Sequence, residues 1–468
     1  MVRRFFKDSA VYALANITTR GLSLFLVPYY VRALTGAEMG TLDLLLAWGA
    51  LAAVVTGLEI SISMARDYAE QKDDAARREV ASTALWFSVA VYGLFFIAVT
   101  LAEGPLAGLL LGDATLSAAV VAAAASVAAG GIFLIISQQL RYLMKAGLFA
   151  ATSLTNAVVA LLATVFFVSW QGLGVKGVFL GSLTGLAAGG VLAWYFTRAL
   201  YGFHFNRRRC AQLLLFSLPL VPSSIAVIVN LHLNRLTIDH FLTREAVGVY
   251  GIAVRIGGII TLVMAGFGGA MAPLVFSRHA EKETPGNLAR IFRMFSVAAL
   301  LGTAGFLLFA PEALFLLATP AYAAALPAIL ILAPAALLSQ MYIFAPGAWI
   351  RKRTIWITVV NVSAAVLNVL LNWWLVPLVG LSGAAWASLG SALISFGLNM
   401  VVSQHFYPVP HQWGRLAVAA AGTGALVACG MMVGGSVPWS GIAVRLAVLG
   451  AVLWWIHGIL GLRIRVRH

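Results

Sequence analysis

Long apolar stretches alternate with short polar ones from one end of the chain to the other, and the apolar stretches share a length. Fourteen of them lie at about 8–33, 41–64, 80–102, 117–139, 148–170, 177–199, 212–238, 247–277, 293–318, 324–349, 355–376, 383–405, 416–436 and 441–461. A hydrocarbon core of ~30 Å is crossed by about 20 helical residues, so each stretch predicts one transmembrane helix. Helices are the expected element because a helix satisfies its own backbone donors and acceptors where no water is at hand. No external interval between stretches exceeds about 15 residues, too short for a separate catalytic domain.

Composition agrees with this pattern. Of the 468 residues, 61% are hydrophobic and 10% charged, an apolar excess that a water-soluble core does not absorb. The expected class is an all-α polytopic membrane protein. Charge then sets the orientation, since Lys and Arg in short loops are retained on the cytoplasmic side. With both termini inside, 24 of the 31 Lys and Arg fall in cytoplasmic segments, while the external loops hold Arg32, Lys176, Arg235 and Arg244. The net charge of +15 is thereby spread over many loops beside anionic headgroups, and no patch for nucleic acid is expected. Cys210 and Cys429 have no partner on their own side, so neither a disulfide nor a metal site is expected. None of the lysines follows a glycine, which removes the phosphate-cradling GxxxxGK[ST] loop. No cofactor is expected, and energy would come from a proton or sodium gradient, the membrane potential or a partner. Asp8 and Ser9 interrupt the basic start before any apolar run that a cleaved leader needs, so the first helix is expected to stay.

The chain also repeats itself. LTGAEMGT at 34–41 matches LTREAVGV at 242–249 through Leu34, Thr35 and Gly40 against Leu242, Thr243 and Gly248, an offset of 208. GVKGVFLGSL at 174–183 matches GLSGAAWASL at 380–389 through Gly174, Gly177, Ser182 and Leu183, an offset of 206. Two near-equal offsets at equivalent places predict two six-helix lobes, 1–205 and 206–407, related by an axis along the membrane normal. Helices 13 and 14, with a basic tail, form an appendix over 408–468.

The stretch 216–277, beginning FSLPLVPSSIAVIVNLHLNRL, together with VRALTGAEMG at 31–40 and NWWLVPLVGLSGAAWASLGS at 372–391, resembles the Wzx-type polysaccharide flippases. That family belongs to the MOP superfamily with the MurJ lipid II flippases and the MATE exporters. The resemblance covers helices 1 to 12. Fourteen helices departs from the twelve of many Wzx-type members and equals the count of MurJ-like ones. The resemblance implies a MOP-type fold in which helices 1, 2, 7 and 8 line a central cavity.

Polar residues within those helices are the candidate site. Asn16, Arg20 and Ser23 form one stripe on helix 1, Thr56, Glu59, Ser63 and Arg66 a second on helix 2, and Ser223, Asn230 and Asn234 a third on helix 7. Arg255 lies on helix 8. A guanidinium at bilayer depth costs ~3 kcal/mol or more unless it faces a protein-lined, wet cavity, so Arg20 and Arg255 are read as cavity cations. The alternative is a structural role, with Glu59 as permanent partner of Arg20. Glu59 otherwise pairs with an arginine between substrates or carries a coupling proton or sodium. Asn230 and Asn234 contact substrate or bond a neighbouring helix, and His232 is read as a packing residue or a proton relay. Arg32, Arg235 and Asp239 fall at the outer mouth, lining the path or simply solvated. Arg66, Arg141 and Lys145 fall at the cytoplasmic mouth, where positive-inside retention also accounts for them. Prolines 28, 219, 222 and 273 read as kinks or as packing features.

An anionic headgroup rich in hydroxyls needs fixed cations and neutral polar side chains, and an arginine fork donates two parallel hydrogen bonds to phosphate. The expected function is to flip a polyprenyl (undecaprenyl) pyrophosphate-linked oligosaccharide outward across the bacterial inner membrane for surface polysaccharide synthesis. Partners would be that lipid-linked glycan, membrane lipids, and a polymerase and glycosyltransferases. Alternatives are a MurJ-like lipid II flippase, a MATE-like drug exporter, which needs acids in the cavity, and a membrane-embedded glycosyltransferase or polymerase, which needs a large loop.

Overall fold

The computed structural model of the protein describes residues 26–261, 283–351, 353, 355–433 and 438–460. A helical run over 26–33 (α1) leads into α2 (Gly36–Gly57), α3 (Ile60–Glu70), α4 (Asp74–Leu101), α5 (Glu103–Leu111), α6 (Ser117–Tyr142), α7 (Ala146–Val165), α8 (Gly174–Thr197), α9 (Arg207–Ser217), α10 (Val221–Phe241) and α11 (Arg244–Gly257). Later in the chain come α12 (Thr284–Leu308), α13 (Ala310–Leu317), α14 (Leu326–Gln340), α15 (Gly347–Ile350), α16 (Ile355–Val379), α17 (Leu381–Phe406), α18 (Trp413–Val433) and α19 (Pro438–Leu460). Twelve helical segments among the described residues are long and apolar enough to cross a membrane. They coincide with expected helices 2 to 7 and 9 to 14. Expected helices 1 and 8 fall partly outside the described residues, so the count of fourteen is not reached within them. Large apolar side chains such as Leu101, Phe315 and Trp454 are exposed, the arrangement a lipid solvent favours.

By packing, the chain divides into two compact units, Met1–Gly251 and Ile252–His468. The division at 205/206 drawn from the repeat is of another kind, because it follows sequence likeness rather than contact. In the first unit α8 carries Gly177, Gly181, Gly185 and Gly189 at every fourth position against the preceding helix. A Cβ on Gly189 would come within 3.0 Å of the Thr152 carbonyl oxygen on α7. Such spacing lets backbones approach where lipid removes the usual hydrophobic drive between helices. Tyr92 of α4 is wedged between Gly57 and Gly131, and its hydroxyl donates to the Ala53 carbonyl at 3.0 Å. In the second unit α18 and α19 pack on α12 through Val297, Ala304, Leu308, Ala419, Val452, Ile456 and Leu460.

Three expected helices differ in detail. The second is broken: Leu58 and Glu59 have φ of 49° and 54°, ending α2 and starting α3. The left-handed region is normally taken by Gly or Asn, so nothing in the Leu-Glu pair signals the break. The stripe Thr56, Glu59, Ser63 and Arg66 therefore does not run along one helix; Ser63 is buried and Arg66 exposed. The ninth begins about two turns early, at Thr284 with Pro285 in its first turn, because proline starts a helix well while its own N–H needs no partner there. The seventh is divided into α9 and α10 by a 3-10 turn over Leu218–Leu220, with Pro219 in that turn and Pro222 opening α10. Pro273 lies outside the described residues.

Topology can be read with single cysteines in a background lacking Cys210 and Cys429. Cysteines at Asp73 or Gly202 are expected to resist an impermeant thiol reagent until cells are opened. Cysteines at Thr115 or Gly172 are expected to react from outside, and the reverse pattern would overturn the orientation.

Candidate functional site

The two copies of the repeated LT motif start two helices in the same way. Thr35 precedes α2, and its hydroxyl accepts from the Glu38 N–H at 3.2 Å while Glu38 reaches back to the Thr35 N–H at 2.9 Å. Thr243 precedes α11, and its hydroxyl accepts from the Ala246 N–H at 3.2 Å. In both helices the matched glycine, Gly40 or Gly248, is the fifth residue. These two glycines face each other's helix. A Cβ on Gly248 would lie 2.6 Å from the carbonyl oxygen of Gly36, the first residue of α2, and one on Gly40 would overlap the carbonyl oxygen of Arg244, the first residue of α11. Each half of the repeat thus supplies the same glycine to the same backbone atom of the other, the reciprocity of a two-fold contact. This is the end that the charge pattern of the sequence leads one to expect outside.

Charged and polar groups surround the crossing. Asp43 of α2 is 1% exposed, and the Arg235 Nε of α10 lies 3.9 Å from its carboxylate; the Arg235 guanidinium also donates to the Leu231 carbonyl at 3.2 Å. Arg235 is buried, which removes the solvated one of its two expected roles at the outer mouth. Removing one partner of a buried pair costs about 3–5 kcal/mol, since it strands the other charge. Asn234 is buried, and its amide donates to the Tyr250 hydroxyl of α11, the interhelical role open to it from sequence. Asp239 pairs with Arg244 at 3.6 Å, and Arg244 also donates to the Leu111 carbonyl. Arg32 is exposed and donates to the Pro28 carbonyl at 2.9 Å.

Deeper in the first unit stands Glu59, half-buried, in the left-handed break itself. Non-glycine residues in that region cost about 1–3 kcal/mol each and gather at functional positions. Its carboxylate has no hydrogen bond or ion pair among the described residues. At the far end Arg66 pairs with Glu70 at 3.0 Å and stacks 4.5 Å over Phe216; so exposed a pair is worth ~0–1 kcal/mol. Arg209 of α9 lies 3.4 Å from Asp67 and 4.0 Å from Glu79, tying α9 to α3 and α4. Arg141 and Lys145 are exposed beside the α6–α7 turn, with Arg141 over the Phe149 ring at 5.4 Å.

Of the remaining candidates, Asn230 and His232 are half-buried on α10, with the His232 Nδ1 buried and making no hydrogen bond to any described residue. Arg255 is half-buried on α11 in the second unit, where it interacts with other groups. Asn16 and Arg20 lie outside the described residues. Sequence reasoning missed Asp43, Arg244 and Tyr250. Asp43 carried a usable signal, a carboxylate in the apolar run Leu42–Leu46, by the same rule that singled out Arg20. Tyr250 carried none. Among the described residues no three His, Cys, Asp or Glu side chains are placed to hold a metal ion.

Comparison with known proteins gives family and fold. A profile of the polysaccharide biosynthesis protein family matches residues 5–279. The solved structure of the lipid II flippase MurJ in an inward closed conformation is similar at a TM-score of 0.72 and 11% identity, covering 96% of this chain and 99% of that one. A multidrug resistance MATE transporter of the MOP superfamily is similar in its inward-facing conformation at a TM-score of 0.68 and 15% identity, covering 84% of this chain and 98% of that one. Its family's outward-facing structure gives 0.64 at 15% identity, covering 85% and 95%. These likenesses show that the chain shares the fold of those proteins. No curated protein matches the chain in sequence.

The crossing offers a covalent test. A Cβ on Gly36 would lie 3.7 Å from the Glu245 Cβ, inside the ~3.5–4.5 Å span of a disulfide. The double variant Gly36→Cys, Glu245→Cys is expected to cross-link under mild oxidation, read as a gel shift after proteolysis between the two sites. Adding Gly248→Leu should reduce the yield severalfold, because the wedge separates the helices.

Proposed function

The chain belongs to the polysaccharide biosynthesis protein family, and from that premise we propose that it flips a polyprenyl-pyrophosphate-linked oligosaccharide from the cytoplasmic to the outer face of the bacterial inner membrane. It is a multi-pass membrane transporter of the MOP type. The observation that carries it is the mirrored crossing of α2 and α11. A carrier that opens to one side at a time needs a closure that both halves build together, and the Gly40–Gly248 contact has that form.

The headgroup enters from the cytoplasm, where Arg66, Arg141 and Lys145 lend positive potential, and its pyrophosphate is taken by Arg20 and Arg255. Guanidinium forks match phosphate oxygens and stay charged when partly desolvated. Asn16 and Asn230 serve the glycan hydroxyls. Separation of α2 from α11, with loss of the Asn234–Tyr250 bond and loosening of Asp43 from Arg235, opens the outer end. The prenyl tail remains in the bilayer throughout. An inside-negative potential assists export of an anion by ~2.3 kcal/mol per charge per 100 mV, so the step needs no ATP. The polymerase and glycosyltransferases of surface polysaccharide synthesis act before and after it.

Depletion of the protein is expected to accumulate a lipid-linked oligosaccharide on the cytoplasmic face; accumulation of lipid II instead would overturn the substrate. Arg255→Ala is expected to lower export at least tenfold per folded molecule, and Arg255→Lys to retain part of it, since charge remains while the fork is lost. Equal loss of folded protein and of export would assign Arg255 to the fold.

Glu59 is tested in vesicles with potential and ion gradients imposed separately. In our reading it neutralises an arginine between substrates, so Glu59→Gln should change apparent substrate affinity and leave the response to potential intact. Loss of a gradient response that the wild type has would make it the coupling acid.

A further inference from the structure

The second unit holds a cavity that plays no part in the pathway above. It has a volume of 270 Å³ and lies where the first turns of α12, the loop leading into α18 and the last residue of α19 come together. Arg290, Arg293, His411 and Gln412 line it, with Phe292 and Leu460 among its apolar walls. Among the described residues no acidic side chain lines it.

The chemistry of these walls is specific. Arg290 and Arg293 stand three apart on α12 and so share a face. Neither makes a hydrogen bond or ion pair with any described residue, in contrast to Arg66, Arg77, Arg209, Arg235, Arg244 and Arg445, each of which has a carboxylate. Arg290 is exposed and Arg293 half-buried, so both guanidiniums are open to an anion that enters the cavity they line. His411 packs edge-on against Phe292 at 4.7 Å and beside Trp413 at 5.0 Å, and its Nδ1 is buried without a hydrogen bond to any described residue. Burial pushes its imidazole down to about 4, so the ring is neutral at pH 7 and offers hydrogen bonds rather than charge. A buried polar atom left unpaired is unfavourable, and a ligand oxygen or hydroxyl would satisfy it.

Size and position narrow the ligand. The cavity is near the ~300 Å³ lower limit of small-molecule sites, room for a phosphate with its glycerol and too small for an oligosaccharide. It sits at the ends of three membrane spans, Thr284–Leu308, Trp413–Met432 and Gly441–Leu460, at headgroup level. Charge bias places those ends in the cytoplasmic leaflet, where anionic lipids concentrate and basic pockets between helices take their headgroups. Trp454 and Leu453 of α19, exposed at 79% and 52%, offer an apolar flank of the same helix to acyl chains.

We propose that this cavity is a binding site for the phosphate headgroup of an anionic bilayer lipid, held by Arg290 and Arg293 with hydrogen bonds from His411 and Gln412. The bound lipid fastens α18 and α19 to α12 at the end where the Val452, Ile456 and Leu460 packing stops. It is a structural lipid and not the transported one.

The test uses the purified full chain in nanodiscs of phosphatidylcholine, with and without phosphatidylglycerol, followed by thermal unfolding and by native mass spectrometry of retained lipid. The wild type should unfold at a higher temperature with phosphatidylglycerol present and retain that lipid. Arg290→Gln, Arg293→Gln should lose the thermal response and bind phosphatidylglycerol roughly 30-fold more weakly, given the usual worth of two basic residues at an anionic surface. If that variant does not fold, Arg290→Lys, Arg293→Lys keeps both charges and should give a reduced, nonzero response through loss of the forks. Inorganic phosphate added to phosphatidylcholine nanodiscs should not reproduce the shift. An equal phosphatidylglycerol response in wild type and double Gln variant would overturn the site, and a full shift from inorganic phosphate would overturn the lipid as its source.

Discussion

Inside a hydrocarbon slab there is no water to take a spare hydrogen bond or to screen a charge, so every buried polar group must be answered from within the protein. Much else in this chain follows from that constraint. It makes the described elements helical. It leaves packing between helices to close backbone contact, hence the glycines of α8 set against α7 and the preceding turn. It also decides which polar side chains sit together: Asp43 with Arg235, Asn234 with Tyr250, and Asp239 with Arg244. In water each of these would be a minor contact. Here each one fixes the relation of two helices.

The same constraint explains what was readable in advance. Span-length apolar runs are a direct record of bilayer thickness, and the twelve described spans fall where those runs lie. The repeat was readable for a second reason, because glycines at close approach tolerate no substitute. The second repeat pair behaves like the first. Gly174 and Gly380 both take positive φ, 50° and 67°, and Gly177 and Gly383 both press on the helix before them. Pairing was less readable. Asp43 and Arg235 are 192 positions apart, and periodicity places a residue on a face without saying what faces it. The break at Leu58–Glu59 was invisible, since the local sequence contradicts the conformation and only the surrounding packing enforces it.

That break has a bearing on motion. A helix interrupted by two left-handed residues bends more easily than a continuous one, because the hydrogen-bond ladder is already open there. The α9–α10 junction, with its two prolines, is a second such place. The outer crossing joins α2 to α11 with α10 packed beside it on α2, so both interruptions lie on elements that meet at that end. Tyr92 packs against the last turn of α2, its ring beside Gly57 and its hydroxyl on the Ala53 carbonyl, just ahead of the break.

The crossing of α2 and α11 also speaks to origin. When one motif supplies both faces of a contact, every surface needed for the contact exists in a single half. A half-length ancestor would have met a second copy of itself through the same two glycines, as closed two-fold dimers do. Fusing two such copies end to end adds no new interface to invent. It does leave the halves free to differ, and Asp43 and Arg235, which come from different halves, have no mirrored twin pair among the described contacts.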